Sequence, residues 1–202
     1  MKTLLVSIAV FLALGSALAL GYFSFPSKTQ ATFYAAGIGE NGQGVLVPYV
    51  LELKPGTGKI LVDVKDTTYG EDVETSLRLA RLGAENYLGV SLENYDISVD
   101  FPHRQQIVQG GSAGAAFTVS IIASYLKRPM RTDTAISATL KTEEEVGPVD
   151  GIEEKIIAAS ENGRKTFLIA ADQPVQHEQQ LKTVSNIVRI KTIKDAVDLL
   201  IA

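Results

Sequence analysis

Residues 109–123 read Gln109-Gly110-Gly111-Ser112-Ala113-Gly114-Ala115-Ala116-Phe117-Thr118-Val119-Ser120-Ile121-Ile122-Ala123, a glycine turn running straight into an apolar helix. A hydroxyl at Ser112 would stand on that tight turn, at the positive end of the helix dipole, where free amides can stabilise an anion developing nearby. That is the geometry of a nucleophile. The same residues also fit an ordinary serine N-cap behind flexible glycines, so the reading depends on whether a second group activates the hydroxyl.

Such a group stands in Pro148-Val149-Asp150-Gly151-Ile152-Glu153-Glu154-Lys155-Ile156-Ile157-Ala158-Ala159. Asp150 and Glu153 have capping-box spacing and predict a helix start. Lys155 then falls three residues after Ile152 and four before Ala159, on the apolar stripe and not on the charged face. Desolvation there lowers an ammonium's pKa towards the range in which a neutral amine works as a general base. The alternative is a lysine that snorkels past the stripe to water.

The rest of the chain limits the chemistry available. Its 202 residues, 46% apolar and 21% charged, suit one compact domain with an appendage. A formal charge of −4 supplies no field drawing the chain to nucleic acid or anionic lipid. There is no cysteine, and His103 and His177 are the only histidines, so hydroxyls, amines and carboxylates must do the work; no metal site or cofactor is expected.

From Thr3 to Ser27 no residue is charged, and Leu4 to Leu20 is almost wholly apolar behind Lys2. At about 1.5 Å per helical residue this stretch can cross a bilayer core of about 30 Å. We therefore expect residues 1–25 to be a transmembrane anchor or a signal helix, with Ala17-Leu18-Ala19 as the cleavage site in the second case, and the anchor favoured. Either way the body is expected outside the cytoplasm, anchored or secreted. Residues 26–32 read as a polar linker and residues 33–202 as a single domain.

Within that domain, strand patterns occupy 44–53, 59–65, 95–101, 133–141, 165–170 and 186–190, with Pro48 marking an edge or bulge. Helical periodicity covers Val73, Leu77, Ala80, Ala84 and Tyr87, closing near Gly89, and also 113–127, 152–162, 175–184 and 193–201. These patterns give a mixed α/β or α+β fold.

Two glycine motifs do not survive their context. Gly37-Ile38-Gly39-Glu40-Asn41-Gly42 matches the GxGxxG pattern, but a strand and not a helix follows it, so it reads as a turn. Gly56-Thr57-Gly58-Lys59 lacks the full phosphate-loop spacing. No nucleotide site is legible.

Taken together, the Ser112 and Lys155 stretches resemble the proteolytic domain of Lon-type serine peptidases. The resemblance runs from about Asp96-Ile97-Ser98-Val99-Asp100-Phe101-Pro102 through both motifs to Lys165-Thr166-Phe167-Leu168-Ile169-Ala170, with a weaker similarity of layout over Gly37 to Gly89 and none over the N-terminal segment. It implies a Ser112–Lys155 dyad without histidine, Ser137 at the position where relatives carry a threonine that orients the lysine, and the backbone amides of Gly111 and Ala113 as oxyanion donors. It also implies an α+β fold, a mixed β-sheet region packed with several helices, together with a polypeptide substrate and a homo-oligomeric ring.

The sequence departs from the family pattern at Gln109 and Gly111, where many relatives have an acid and a Pro or Asp, and at Ser137-Ala138-Thr139, which replaces the usual Thr-Gly-Glu. The resemblance takes in no ATPase module, so the expectation is a proteolytic domain without that module, an ATP-independent endopeptidase acting on unfolded proteins or peptides. Two rivals stand beside it. One is a catalytically silent interaction module of the same fold. The other is an α/β-hydrolase-type esterase, in which Gly110-Gly111-Ser112-Ala113-Gly114 serves as GxSxG with Asp172 and His177 completing a triad.

Overall fold

The chain folds around a hairpin that the sequence only half announces. The computed structural model describes residues 31–63, 68–69, 71–102, 107–108 and 111–202. The expected anchor 1–25, together with His103, Gln109 and Gly110, lies outside the described residues. No helix among those described is long and apolar enough to cross a membrane.

Strand β1 (Ala31–Ile38) pairs antiparallel with β2 (Gly44–Pro55) over its whole length. β1 therefore starts inside the stretch read as a linker and takes in Gly37 and Ile38. Its Ala31-Thr32-Phe33-Tyr34-Ala35-Ala36 run has no β-branched alternation to betray it; the partner strand supplies the order. The remainder of the glycine motif is the hairpin turn, closed by Gly39 N–H donating to the Gln43 carbonyl at 2.8 Å, with Gly42 at φ +77°.

β5 (Tyr95–Asp100) pairs with β2 from Val50 to Pro55. Pro48, opposite Tyr34, precedes the stretch of β2 that pairs with β5, an edge position of the kind in which proline is tolerated. β3 (Ile60–Asp63) adds in parallel to β5 and completes a sheet of order β1-β2-β5-β3. The Gly56–Lys59 stretch is the turn before β3; the Asp96 carboxylate accepts from the amides of Thr57 (2.8 Å) and Lys59 (2.9 Å). β4 (Thr68–Tyr69) and β6 (Ile107–Val108) form a short parallel pair.

Helix α1 (Glu71–Leu88) buries Val73, Leu77, Ala80 and Ala84 as its periodicity requires, while Tyr87 remains 36% exposed. It ends at Gly89, φ +66°. A single 3₁₀ turn, Gly111–Ala113, then leads into α2 (Gly114–Leu126), which is buried at every position from Gly114 to Ala123. A helix apolar all round belongs in the middle of a core. α2 lies between α1, β2 and the C-terminal helix.

The expected strand 133–141 is broken into β7 (Thr134–Ile136) and β8 (Thr139–Leu140). The break falls where Ala138 turns its main chain towards the serine turn, donating its N–H to the Ser112 carbonyl at 3.1 Å and accepting from Ala115 N–H at 3.1 Å. β8 pairs with β9 (Val146–Gly147). β7 joins β10 (Thr166–Ala170) and β11 (Asn186–Ile190) in a parallel sheet of order β11-β10-β7.

Helix α3 (Ile152–Glu161) packs on β1 and β2. Of the expected helix 175–184 only α4 (Glu178–Leu181) forms, and α5 (Ile193–Leu200) closes the chain against α2. The architecture is mixed α+β with sheets and several helices, as the residue patterns require.

Candidate active site

Helix α3 does not start as its sequence suggests. The Asp150–Glu153 capping box is absent: Gly151, at φ +62°, occupies the cap with no side-chain hydrogen bond. A genuine capping box forms at α5 instead, between Thr192 and Asp195. Glu153 is drawn away by a stronger set of donors. Its Oε1 accepts from the amides of Gln176 (2.7 Å) and His177 (2.8 Å), and its Oε2 lies 2.8 Å from His177 Nδ1. Three donors in one loop outcompete one main-chain amide at the helix start.

Lys155 is 4% exposed, flanked on its face by the buried Ile152, Ile156 and Ala159. It does not snorkel. Burial pulls its amine below the ordinary lysine pKa, and the attraction of Asp150 and Glu154 only partly offsets this. No ion pair fixes the amine among the described residues. Its position is inherited from the helix backbone, where Lys155 N–H donates to the Gly151 carbonyl at 3.2 Å.

Ser112 sits in the 3₁₀ turn one residue before the α2 cap, which is Ala113 without a side-chain bond. Ser112 is therefore not the N-cap of its helix. Its carbonyl is held by Ala138 N–H at 3.1 Å and, more loosely, by the Ser137 hydroxyl at 3.5 Å. Ser137 is fully buried, and the hydrogen bond the structure gives its hydroxyl is this one. The turn is thus strapped from the strand side through its carbonyl.

Ser112, Gly111 and Lys155 line one cleft of about 920 Å³. Its other walls are the end of β1 (Gly37, Ile38), Thr139, the segment Pro148–Gly151, and the loop carrying Gln173, Pro174 and Gln176. Thr139 Oγ1 donates to the Pro148 carbonyl at 3.3 Å and ties two of these walls together. The cleft thus has an alcohol and a poorly solvated amine on the walls of one space.

The residues of the rival triad lie elsewhere. His177 is 58% exposed and engaged with Glu153, while Asp172 pairs with Lys141 at 2.6 Å. The strand expected before a hydrolase elbow amounts to Ile107–Val108. Gln173, by contrast, is a cleft residue that no sequence pattern announced, since a polar residue after a strand usually stays in water. Its position beyond the carboxyl end of the parallel strand β10, where α/β sheets gather their ligand loops, was the one available signal.

Comparison with known proteins agrees with this geometry. Residues 51–201 match the family model of the Lon protease (S16) C-terminal proteolytic domain. The chain is similar to the archaeal Lon protease of Methanothermobacter thermautotrophicus, 27% identical over 161 residues covering 77% of this chain and 24% of that protein. To the Lon protease of Xanthomonas oryzae pv. oryzae it is 30% identical over 167 residues, covering 77% and 19% respectively. To the archaeal Lon protease of Thermococcus kodakarensis it is 31% identical over 138 residues, covering 66% and 21%. The chain spans between 19% and 24% of the length of these relatives. With three quarters of its residues inside the family match and both motifs at the walls of one cleft, the chain belongs to the family of Lon protease C-terminal proteolytic domains.

Proposed function

We propose that this chain is a serine endopeptidase that hydrolyses peptide bonds in unfolded proteins or peptides, with Ser112 as nucleophile and Lys155 as general base. The observation that carries the reading is the shared cleft: an alcohol on a helix-start turn and a buried amine with a lowered pKa line the same space. Neutral Lys155 takes the Ser112 proton as Oγ adds to the peptide carbonyl. The resulting ammonium returns that proton to the departing amine, and water, deprotonated by the same lysine, releases the acyl group. The amides of Gly111 and Ala113 stabilise the oxyanion, and the Ser137 hydroxyl, which donates to the Ser112 carbonyl, keeps a lone pair with which to accept from the amine and orient it.

Resemblance to Lon proteases supports a polypeptide substrate and a homo-oligomer. The uncharged stretch from Thr3 to Ser27 supports a tether that places the cleft outside the cytoplasm. Hydrolysis needs no nucleotide in this scheme, because no step uses one.

The test is digestion of an unfolded casein-like substrate by the full chain in detergent, with and without ATP, beside Ser112→Ala and Lys155→Ala. Cleavage should fall by at least about 10³-fold in both variants and be indifferent to ATP. Equal cleavage by wild type and variants would remove the dyad, and no cleavage by wild type would leave a silent module of the same fold. His177→Ala should cleave normally.

A further inference from the structure

We infer that Gln173 is a positioning residue for the base: by hydrogen-bonding both main-chain groups of Val149 it sets how the start of α3 presents Lys155 to Ser112. The inference rests on the dyad reading above and concerns a residue outside it.

Gln173 is 4% exposed and lines the cleft. Its Oε1 accepts from Val149 N–H at 2.7 Å, and its Nε2 donates to the Val149 carbonyl at 2.9 Å and to the Pro174 carbonyl at 3.2 Å. One acceptor and two donors are the usual complement of a carboxamide, so the group is satisfied inside the protein and grips Val149 as a neighbouring strand would. A buried amide that lost these partners would leave the Val149 donor and acceptor unpaired. The grip is therefore tight.

It is also close to the chemistry. Only Asp150 and Gly151 separate Val149 from α3, and Gly151, at φ +62°, both caps the helix and accepts from Lys155 N–H. A shift at Val149 passes through that short link to the lysine backbone, and the lysine has no ion pair among the described residues to correct its aim.

The other end of the grip is anchored. Gln173 N–H donates to the Ala170 carbonyl at 3.0 Å, and its own carbonyl accepts from Arg189 Nη1 at 2.8 Å. Arg189 is held in turn by Glu178 at 2.6 Å. Glu153 closes the circuit from α3 to the amides of Gln176 and His177. The loop 171–177 thereby transmits the rigidity of the parallel sheet to the helix that carries the base. The neutrality of the carboxamide matters as well. A carboxylate at this position would repel the Val149 carbonyl and hold the amine charged.

The experiment compares Gln173→Met, which keeps the volume and loses every hydrogen bond, with Gln173→Ala, using the full chain in detergent. Rates are read on a peptide substrate, and the Lys155 amine is titrated through the ε-¹³C resonance of labelled lysine. A misplaced base costs on the order of 10- to 100-fold in kcat, so both variants should lose about that much, with KM within about twofold of wild type. The acid limb of the pH profile and the ¹³C titration should shift together, while circular dichroism shows an intact fold. If Gln173→Met keeps wild-type kcat, or only Gln173→Ala loses it, packing and not the grip is at work and the inference is overturned.

The titration is repeated in the Ser112→Ala background. An unmoved lysine titration there overturns the role of Gln173 whatever the rates. Cleavage that survives Ser112→Ala in the otherwise wild-type chain instead defeats the dyad.

Discussion

A lysine that is 4% exposed, with no carboxylate in ion-pair contact among the described residues, is a standing cost to the fold whenever it is charged. The sign follows from its lowered pKa. Between the folded and the unfolded value the native state binds fewer protons, so stability rises with pH across that window. The penalty is complete below the folded pKa and gone above the unfolded one. Lys155→Met should therefore abolish cleavage and yet melt later than wild type at neutral pH, by on the order of 1 kcal/mol, a common size for a single stabilising change. That gain should shrink as the pH approaches the ordinary lysine range. Calorimetric melts at several pH values check this; a Lys155→Met protein less stable than wild type throughout would contradict it. The Lys155 position was legible in the sequence because its neighbours at helical spacing are all apolar. Its lack of an ion pair among the described residues was not, because Asp150, Glu153 and Glu154 are close along the chain and only the fold decides where they point.

At the scale of elements, α3 is held from two sides, and each hold makes a prediction. The β1–β2 hairpin approaches so closely that a Cβ on Gly44 would run into the main-chain carbonyl of Glu154. Gly44→Ala should force α3 away from the hairpin and destabilise the protein by about 1 to 3 kcal/mol. Activity should fall with it, as read by urea denaturation and peptide cleavage on the same preparation. On the opposite side Glu153 latches α3 to the loop 174–177, and the hydrogen bond from the His177 ring, followed by the His177 amide, holds its carboxyl below the usual range. A carboxyl with a depressed folded pKa contributes stability that is present above its unfolded value and lost as pH falls through the folded one. Glu153→Gln should thus lower stability at neutral and alkaline pH and approach the wild type in acid, so that the acid-side fall flattens, measured by urea midpoints across a pH series. The latch also explains two misread elements. The capping box at Asp150–Glu153 fails because Glu153 finds three donors in the loop, and the helix expected over 175–184 shrinks to α4 because that loop is committed to Glu153, Arg189 and Val149.

At the scale of the whole molecule, the larger core gathers around Tyr49, whose ring meets Phe33, Phe101 and Phe117 at centroid distances of 5.6, 6.1 and 5.1 Å. Its hydroxyl shares a buried hydrogen bond of 2.8 Å with Ser120 on α2, so the residue joins sheet and central helix both by packing and by polarity. Tyr49→Phe should cost about 1 kcal/mol, since Ser120 keeps its bond to the Ala116 carbonyl. Tyr49→Ala should cost about 3 to 5 kcal/mol. A thermal melt that finds the two variants equal would show that the ring packing carries no weight. The smaller core, built from Ile152, Ile156, Phe167 and their neighbours, sits under α3 and joins it to the parallel sheet.

By itself the sequence determined the helices with clean periodicity, most of the strands, the turn character of both glycine motifs, and the two motifs that mark the family. Each of these is written within a few residues of chain, where local sterics and the helix or strand period act. It left β1 hidden, since an alanine-rich segment becomes a strand only when β2 lies beside it. The tertiary structure alone decided that Ser112 and Lys155 open onto one cleft, that Glu153 serves a loop and not its own helix, and that Gln173 holds Val149. Those outcomes join residues from separate elements, and their free energy exists only once packing has brought the elements together.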